Sequence, residues 1–149
     1  IFRDKKDQLK LHKLKPLNDL ENELTSDAAI SIKTFFALCI VNNINVFVID
    51  RHRYYELIVN DNPDIHIIHR NRDTKEHYIE LNVTENKISN YKKDYYKMPS
   101  FDEGVKNITS YKLEDLIEIC RQLNINISNQ ENTKKKTKKE LYELIIANL

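Results

Sequence analysis

The 149-residue chain has one glycine, Gly104, and no tryptophan. Phosphate-cradling loops and dinucleotide fingerprints need several glycines where backbone must approach a ligand closely, so both are excluded. The two cysteines, Cys39 and Cys120, sit far apart in apolar periodic segments. That spacing gives no disulfide framework, and reduced thiols are expected. No apolar run approaches eighteen residues, so no membrane span is expected. Residues 1–15 are charged throughout and do not read as a signal peptide. The setting expected from these absences is intracellular: cytoplasm, nucleus or virus particle. Net charge is also missing, at +1 although 32% of residues are charged, so only local clusters can speak about partners.

Forty per cent of the residues are apolar, enough for one core or a small core with a satellite module, but not for two full domains. Ile, Lys and Asn are abundant, as AT-rich coding would produce, so lysine counts alone carry little chemistry. Charge divides the chain in three. Residues 1–16 hold six Lys/Arg against two Asp, residues 17–110 eleven against fifteen, and residues 111–149 seven against six. The first stretch (Arg3, Lys5, Lys6, Lys10, Lys13, Lys15) reads as a basic N-terminal arm closed by Pro16, because the residue before a proline is pushed away from helix.

Residues 17–96 read as an α+β core. Leu17, Leu20 and Leu24 share one face of a short helix. Residues 32–41 are apolar almost all round, the mark of a helix buried on several sides, and Asn42-Asn43 ends it. The β-branched run 44–49 predicts a central strand, followed by strands over 54–59, 65–69 and 77–81. Short turn-rich connections favour a four-stranded, mostly antiparallel meander. Thr84 then caps a polar helix to about Tyr91, and residues 97–110 read as a linker. In the last forty residues, Leu113, Leu116, Ile117, Cys120 and Leu123 fall at helical spacing, with Glu114 and Asp115 suiting the positive end of the helix dipole. A polar loop leads to a second helix with Leu141, Leu144, Ile145 and Leu149 on one face.

Lys134, Lys135, Lys136, Lys138 and Lys139 crowd the start of that last helix. Cations at a helix N-terminus oppose the dipole by about 0.3–1 kcal/mol each, and the i,i+4 pairs Lys136–Glu140 and Lys139–Glu143 are in the weaker order. A phosphate would meet free backbone N–H groups, the positive dipole end and several ammonium groups together. The alternative is a solvated lysine run inflated by coding bias.

The run Tyr111-Lys112-Leu113-Glu114-Asp115-Leu116-Ile117-Glu118-Ile119-Cys120-Arg121-Gln122-Leu123-Asn124-Ile125, with Lys135-Lys136-Thr137-Lys138-Lys139-Glu140-Leu141-Tyr142-Glu143-Leu144-Ile145 after the loop, resembles a SAP-type helix–loop–helix. It departs from that family at Asn124 and Thr133-Lys134, where glycines are usual. The resemblance implies a small DNA-binding, sometimes RNA-binding, module at 111–149. By position, Lys135, Lys136, Lys138 and Lys139 would be its phosphate contacts, and Leu113, Leu116, Leu141 and Ile145 its core. The whole chain resembles uncharacterised proteins of large nucleocytoplasmic DNA viruses.

Enzyme chemistry finds little support. A cysteine-bearing helix, a meander, then His77-Tyr78 on a strand superficially resembles OTU-type deubiquitinases, but Cys39 lies between Leu38 and Ile40 with no oxyanion glycine nearby, and an inert buried thiol fits better. Among His52, His66, His69 and His77, the pair His66 and His69 falls on opposite strand faces and no carboxylate or cysteine completes a metal set. Pro63-Asp64 could open a nuclease motif, but the required acid-x-Lys does not follow Glu80. Tyr91, Tyr95 and Tyr96 with Lys92, Lys93 and Lys97 could stack single-stranded bases, though tyrosines covering the sheet are the simpler expectation. The sequence thus points to a non-enzymatic nucleic-acid-binding or nucleoprotein-associated protein, DNA favoured, without cofactor, metal, membrane or small-molecule substrate. The basic arm and Lys134–Lys139 would hold phosphates. A structural component of a virus particle or large assembly, with protein partners, is the alternative, and a degenerate OTU-like hydrolase a distant one.

Overall fold

The computed structural model describes residues 1–14, 16–101, 104–128 and 135–149. The fold is α+β. Strands β1 (Asn45–Asp50), β2 (Arg53–Leu57), β3 (Ile65–Arg70), β4 (His77–Ile79) and β5 (Tyr96–Lys97) form one sheet in the order β4-β3-β1-β2-β5. β1 pairs antiparallel with β2, and β3 with β4, whereas β1 with β3 and β2 with β5 are parallel. The sheet is therefore five-stranded and mixed, which corrects the expected four-stranded, mostly antiparallel meander.

One buried side chain accounts for the difference. Every residue of β1 is buried, so this strand must have neighbours on both sides. The loop 58–64 does not fold β3 back onto β2 but passes under the start of β1. Asn45, 2% exposed, holds it there. Its amide N–H donates to the carbonyls of Asn60 and Asn62 at 3.1 and 2.9 Å, and its oxygen accepts from the N–H groups of Val59 and Asn60 at 2.8 and 3.2 Å. A buried amide left without those bonds would cost about 1–3 kcal/mol, so the loop path and the Asn support each other.

One face of the sheet, with Val46, Val48, Tyr55 and Leu57, packs under α1 (Lys6–Leu11), α2 (Leu17–Ser26) and α3 (Ile32–Val41). In α3, Phe36, Ala37, Cys39 and Ile40 are buried. Ser31 caps it by accepting the Thr34 N–H at 3.3 Å, and Glu23 of α2 takes the Ser31 N–H at 2.7 Å and the Thr34 hydroxyl. The other face, with Phe47, Ile49, Tyr54 and Ile67, lies under Ile88, Tyr91 and Tyr95 of α4 (Glu85–Asp94) and its C-cap, and Thr84 caps that helix.

The expected basic arm is not an arm. After a 3-10 turn, Arg3–Lys5, the segment forms α1, and Phe2, Leu9 and Leu14 are each 0% exposed in the main core. Burying each is worth about 1.5–3 kcal/mol, which holds the segment down whatever its charge. Its lysines stay at the surface; Lys15 lies outside the described residues. Nor does the expected linker begin at 97: Lys97 belongs to β5, Met98 is buried with its N–H on Tyr54 O at 2.9 Å, and Phe101 packs on Phe36 at 4.3 Å between ring centroids.

Helices α5 (Leu113–Gln122) and α6 (Lys138–Asn148) bury Leu116, Ile119, Cys120, Leu123, Leu141 and Ile145 between them. Leu113, expected in that core, is instead 40% exposed, because the helix turns the 116/119/120/123 stripe inward. Tyr96 and Leu149 pack against both this cluster and the main core. Among the described residues, no helix is long and apolar enough to cross a membrane.

Candidate nucleic-acid interface

The lysine cluster straddles the start of α6 rather than lying within it. Lys135 and Lys136 precede the helix, Thr137 is its cap, and Lys138 and Lys139 are its first two residues. Lys134 lies outside the described residues. Thr137 Oγ1 accepts the Glu140 N–H at 3.3 Å, and Glu140 accepts the Thr137 N–H at 2.6 Å. This capping box supplies an anion where a phosphate was expected to be needed. The dipole of α6 therefore does not by itself call for an external anion. Lys139 approaches Glu143 at 3.9 Å, with the two side chains 80% and 64% exposed, a pair of little energetic weight.

What the sequence did not reveal is the direction of the two helices. Tyr142 OH, on α6, donates to Lys106 O at 3.0 Å, and the Lys106 N–H donates to Tyr111 OH at 2.9 Å, just before α5. At the other end Leu123 and Asn124, which follow α5, share a cavity of about 210 Å³ with Asn148 and Leu149 at the end of α6. The helices therefore run the same way. Both N-terminal ends, each with its positive dipole pole, lie together. Lys106, Lys112, Lys135 and Lys139 are exposed there and Lys138 is half-buried. Among the described residues Lys106, Lys112, Lys135 and Lys138 make no ion pair. Asp115 accepts the Lys112 N–H at 2.7 Å, so that carboxylate, like Glu140, is turned to backbone. Glu114, Asp115 and Glu140 are exposed acidic residues of this end.

The aromatic-basic patch is closed. Tyr91 OH donates to Glu80 at 2.8 Å, and Tyr91 and Tyr95 pack together at 5.3 Å between centroids over the sheet. Lys92 and Lys97 both pair with Glu56, Lys97 at 3.0 Å. These tyrosines cover the sheet, as the simpler expectation had it, and present no stacked row to a strand of bases.

Two charged networks escaped the sequence reading. Asp50, wholly buried at the end of β1, accepts from Arg53 at 3.1 Å and Arg72 Nε at 2.6 Å, and Arg72 reaches on to Leu149 O at 2.9 Å. This bridge fastens α6 to the sheet. Glu80 gathers His69 Nε2 at 2.7 Å, Tyr91 OH at 2.8 Å and Lys87 at 3.2 Å. Burial would raise its carboxyl, but the three donors outweigh that and hold it below the usual range. A lone acid within an apolar strand was the only signal of either network.

Cys39 is 4% exposed, and burial pushes its thiol up to about 11. A thiolate nucleophile needs the opposite shift. His66 and His77 are exposed on the face opposite His69. No group of three His, Cys, Asp or Glu among the described residues is placed to hold a metal ion. The chain matches no family model, and no curated protein or solved structure is significantly similar to it.

Proposed function

We propose that this protein binds nucleic acid, DNA in preference, through phosphate contacts made by the starting end of α5 and α6, with Lys135, Lys136, Lys138 and Lys139 at its centre and Lys106 and Lys112 beside them. The observation that carries this reading is the common direction of the two helices. It collects lysines distant in sequence at one exposed end, where the carboxylates of Asp115 and Glu140 are turned to backbone N–H groups. Such an arrangement attracts a polyanion by charge, and phosphate contacts carry no sequence information, so binding has little sequence preference.

The test is a salt-titrated binding assay with duplex DNA. With about four phosphates engaged, affinity falls roughly 100-fold between 50 and 200 mM salt. Reversing Lys135, Lys138 and Lys139 to Glu abolishes that binding while the thermal transition stays within a few degrees. Substitution is the clean variant here, since Leu149 and Tyr96 tie the helix pair to the body and a truncation would open the main core. No binding at low salt, or binding indifferent to both salt and the reversed charges, rejects the proposal.

A further inference from the structure

We propose that Thr137 is a phosphorylation site, and that a phosphate carried there switches off the lysine cluster around it. The inference rests on the nucleic-acid reading above and adds its regulation. Lys134, Lys135 and Lys136 fill the three positions before Thr137, and Lys138 and Lys139 follow it. No other serine or threonine of the chain has lysine at all three preceding positions. The capping role does not ask for them: Thr84, which caps α4 in the same way, has Asn82 and Val83 before it and Glu85 after it. Protein kinases that choose substrates by charge dock basic residues just ahead of the acceptor hydroxyl. The fold presents the stretch in that form. Thr137 is exposed, Lys135 and Lys136 precede the helix, and Thr137 itself is extended, at φ −72° and ψ 161°. The buried residues of α6 begin at Leu141, so opening the first turn in a kinase groove leaves the core of the helix pair untouched.

In the transfer, Thr137 Oγ1 bonds to the γ-phosphorus of a nucleoside triphosphate as the bond to the β,γ-bridging oxygen breaks. The hydroxyl proton passes to the kinase's base, and the nucleoside diphosphate leaves with the electron pair. The product adds about −1.5 to −2 charges and three acceptor oxygens at the cap. Thr137 Oγ1 donates to Glu140 Oε2 at 3.0 Å. The phosphate removes that donor and sets like charge beside the carboxylate, so Glu140 is displaced. The phosphate then takes for itself the positive pole of α6 and the nearest ammonium groups. Those are the groups offered to a DNA phosphate, so a covalent phosphate competes for them from within.

The test treats the intact chain with ATP and a purified kinase selective for basic sequences, and locates the phosphate by mass spectrometry. Two variants keep the cap, because Asn and Asp cap helices at least as well as Thr. Thr137→Asn cannot be modified, and Thr137→Asp carries one permanent charge. With duplex DNA at about 0.1 M salt, the unmodified chain and Thr137→Asn should bind alike within twofold. Phosphorylation should weaken binding roughly 50-fold and lower the salt slope by about 1.8, as two phosphate contacts are lost, and Thr137→Asp should weaken it roughly eightfold. All these forms should melt within a few degrees of one another. Phosphorus NMR without DNA gives a second readout: held among lysines, the phosphate should undergo its second ionisation below the usual value of about 6. A chain left unmodified at Thr137, a modified chain that binds DNA as tightly as before, or a phosphate that still ionises at about 6 overturns the proposal and leaves the nucleic-acid reading standing. If the unmodified chain and Thr137→Asn both fail to bind DNA at low salt, the nucleic-acid reading is rejected and the switch goes with it.

Discussion

Two stretches of this chain carry the same signature, a run of lysines among sparse leucines, and the fold treats them in opposite ways. Residues 1–14 are drawn into the main core by Phe2, Leu9 and Leu14, each fully buried, and their lysines are carried along on the outside. The run from 135 to 139 holds no apolar residue; Lys135 and Lys139 are exposed and Lys136 and Lys138 half-buried ahead of Leu141. Charge density is the same kind of signal in both. What separates them is whether apolar residues recur within the run, because burial of one large side chain outweighs the solvation of several surface ammonium groups.

The sharpest way to break this contrast is Phe2→Ala. Truncating a fully buried aromatic costs about 3–5 kcal/mol, measured by urea unfolding. A loss under about 1 kcal/mol would return the segment to the status of a free arm. Next in size is Asp50→Ala, which strands Arg53 and Arg72 without their shared carboxylate. A loss of about 3 kcal/mol is expected, together with faster exchange in α6, because Arg72 also holds Leu149. Smaller is Glu80→Gln, expected to cost about 1–2 kcal/mol at neutral pH by weakening three charge-assisted bonds. The sign of its pH dependence is set. Glu80 is held below its unfolded value of about 4.5, so its contribution is present above pH 4.5 and is lost as pH falls through the lower folded value. Urea titrations between pH 6 and 3 should show a shallower acid loss in the variant than in the wild type. Smallest in stability is the triple change Lys135→Gln, Lys138→Gln, Lys139→Gln, expected to stay within about 0.5 kcal/mol per site. Its effect belongs to binding: the slope of log affinity against log salt should shrink by about 0.9 for each phosphate no longer engaged. A large stability loss from this variant would show that the lysines serve the fold and not a partner.

Element identities were largely legible. The apolar run 32–41, the β-branched strand after Asn42-Asn43, the Thr84 cap and the helical stripe 116/119/120/123 are local patterns, and α3, β1, α4 and α5 follow them. Pairing was not legible. Loop length suggested that β3 would lie beside β2, and the deciding interaction is the side chain of Asn45 holding Val59, Asn60 and Asn62, partners 14 to 17 residues away. The candidate interface divides the same way. Its lysines could be read directly, but Glu140 as the internal anion of α6 and the company of Lys106 and Lys112 could not. The first depends on a cap at Thr137 rather than a few residues earlier, the second on a hydrogen bond spanning 36 residues, from Tyr142 to Lys106.

Composition and periodicity by themselves determined an α+β chain with a central buried strand, buried cysteines and a basic helix start, because each rests on neighbours within a turn or two of sequence. Tertiary structure alone decided that the leading lysines belong to the body, that the sheet is mixed and that two helix starts share one end. Those outcomes turn on which distant groups satisfy a buried polar atom or cover an apolar face, and one-dimensional spacing holds no record of that competition.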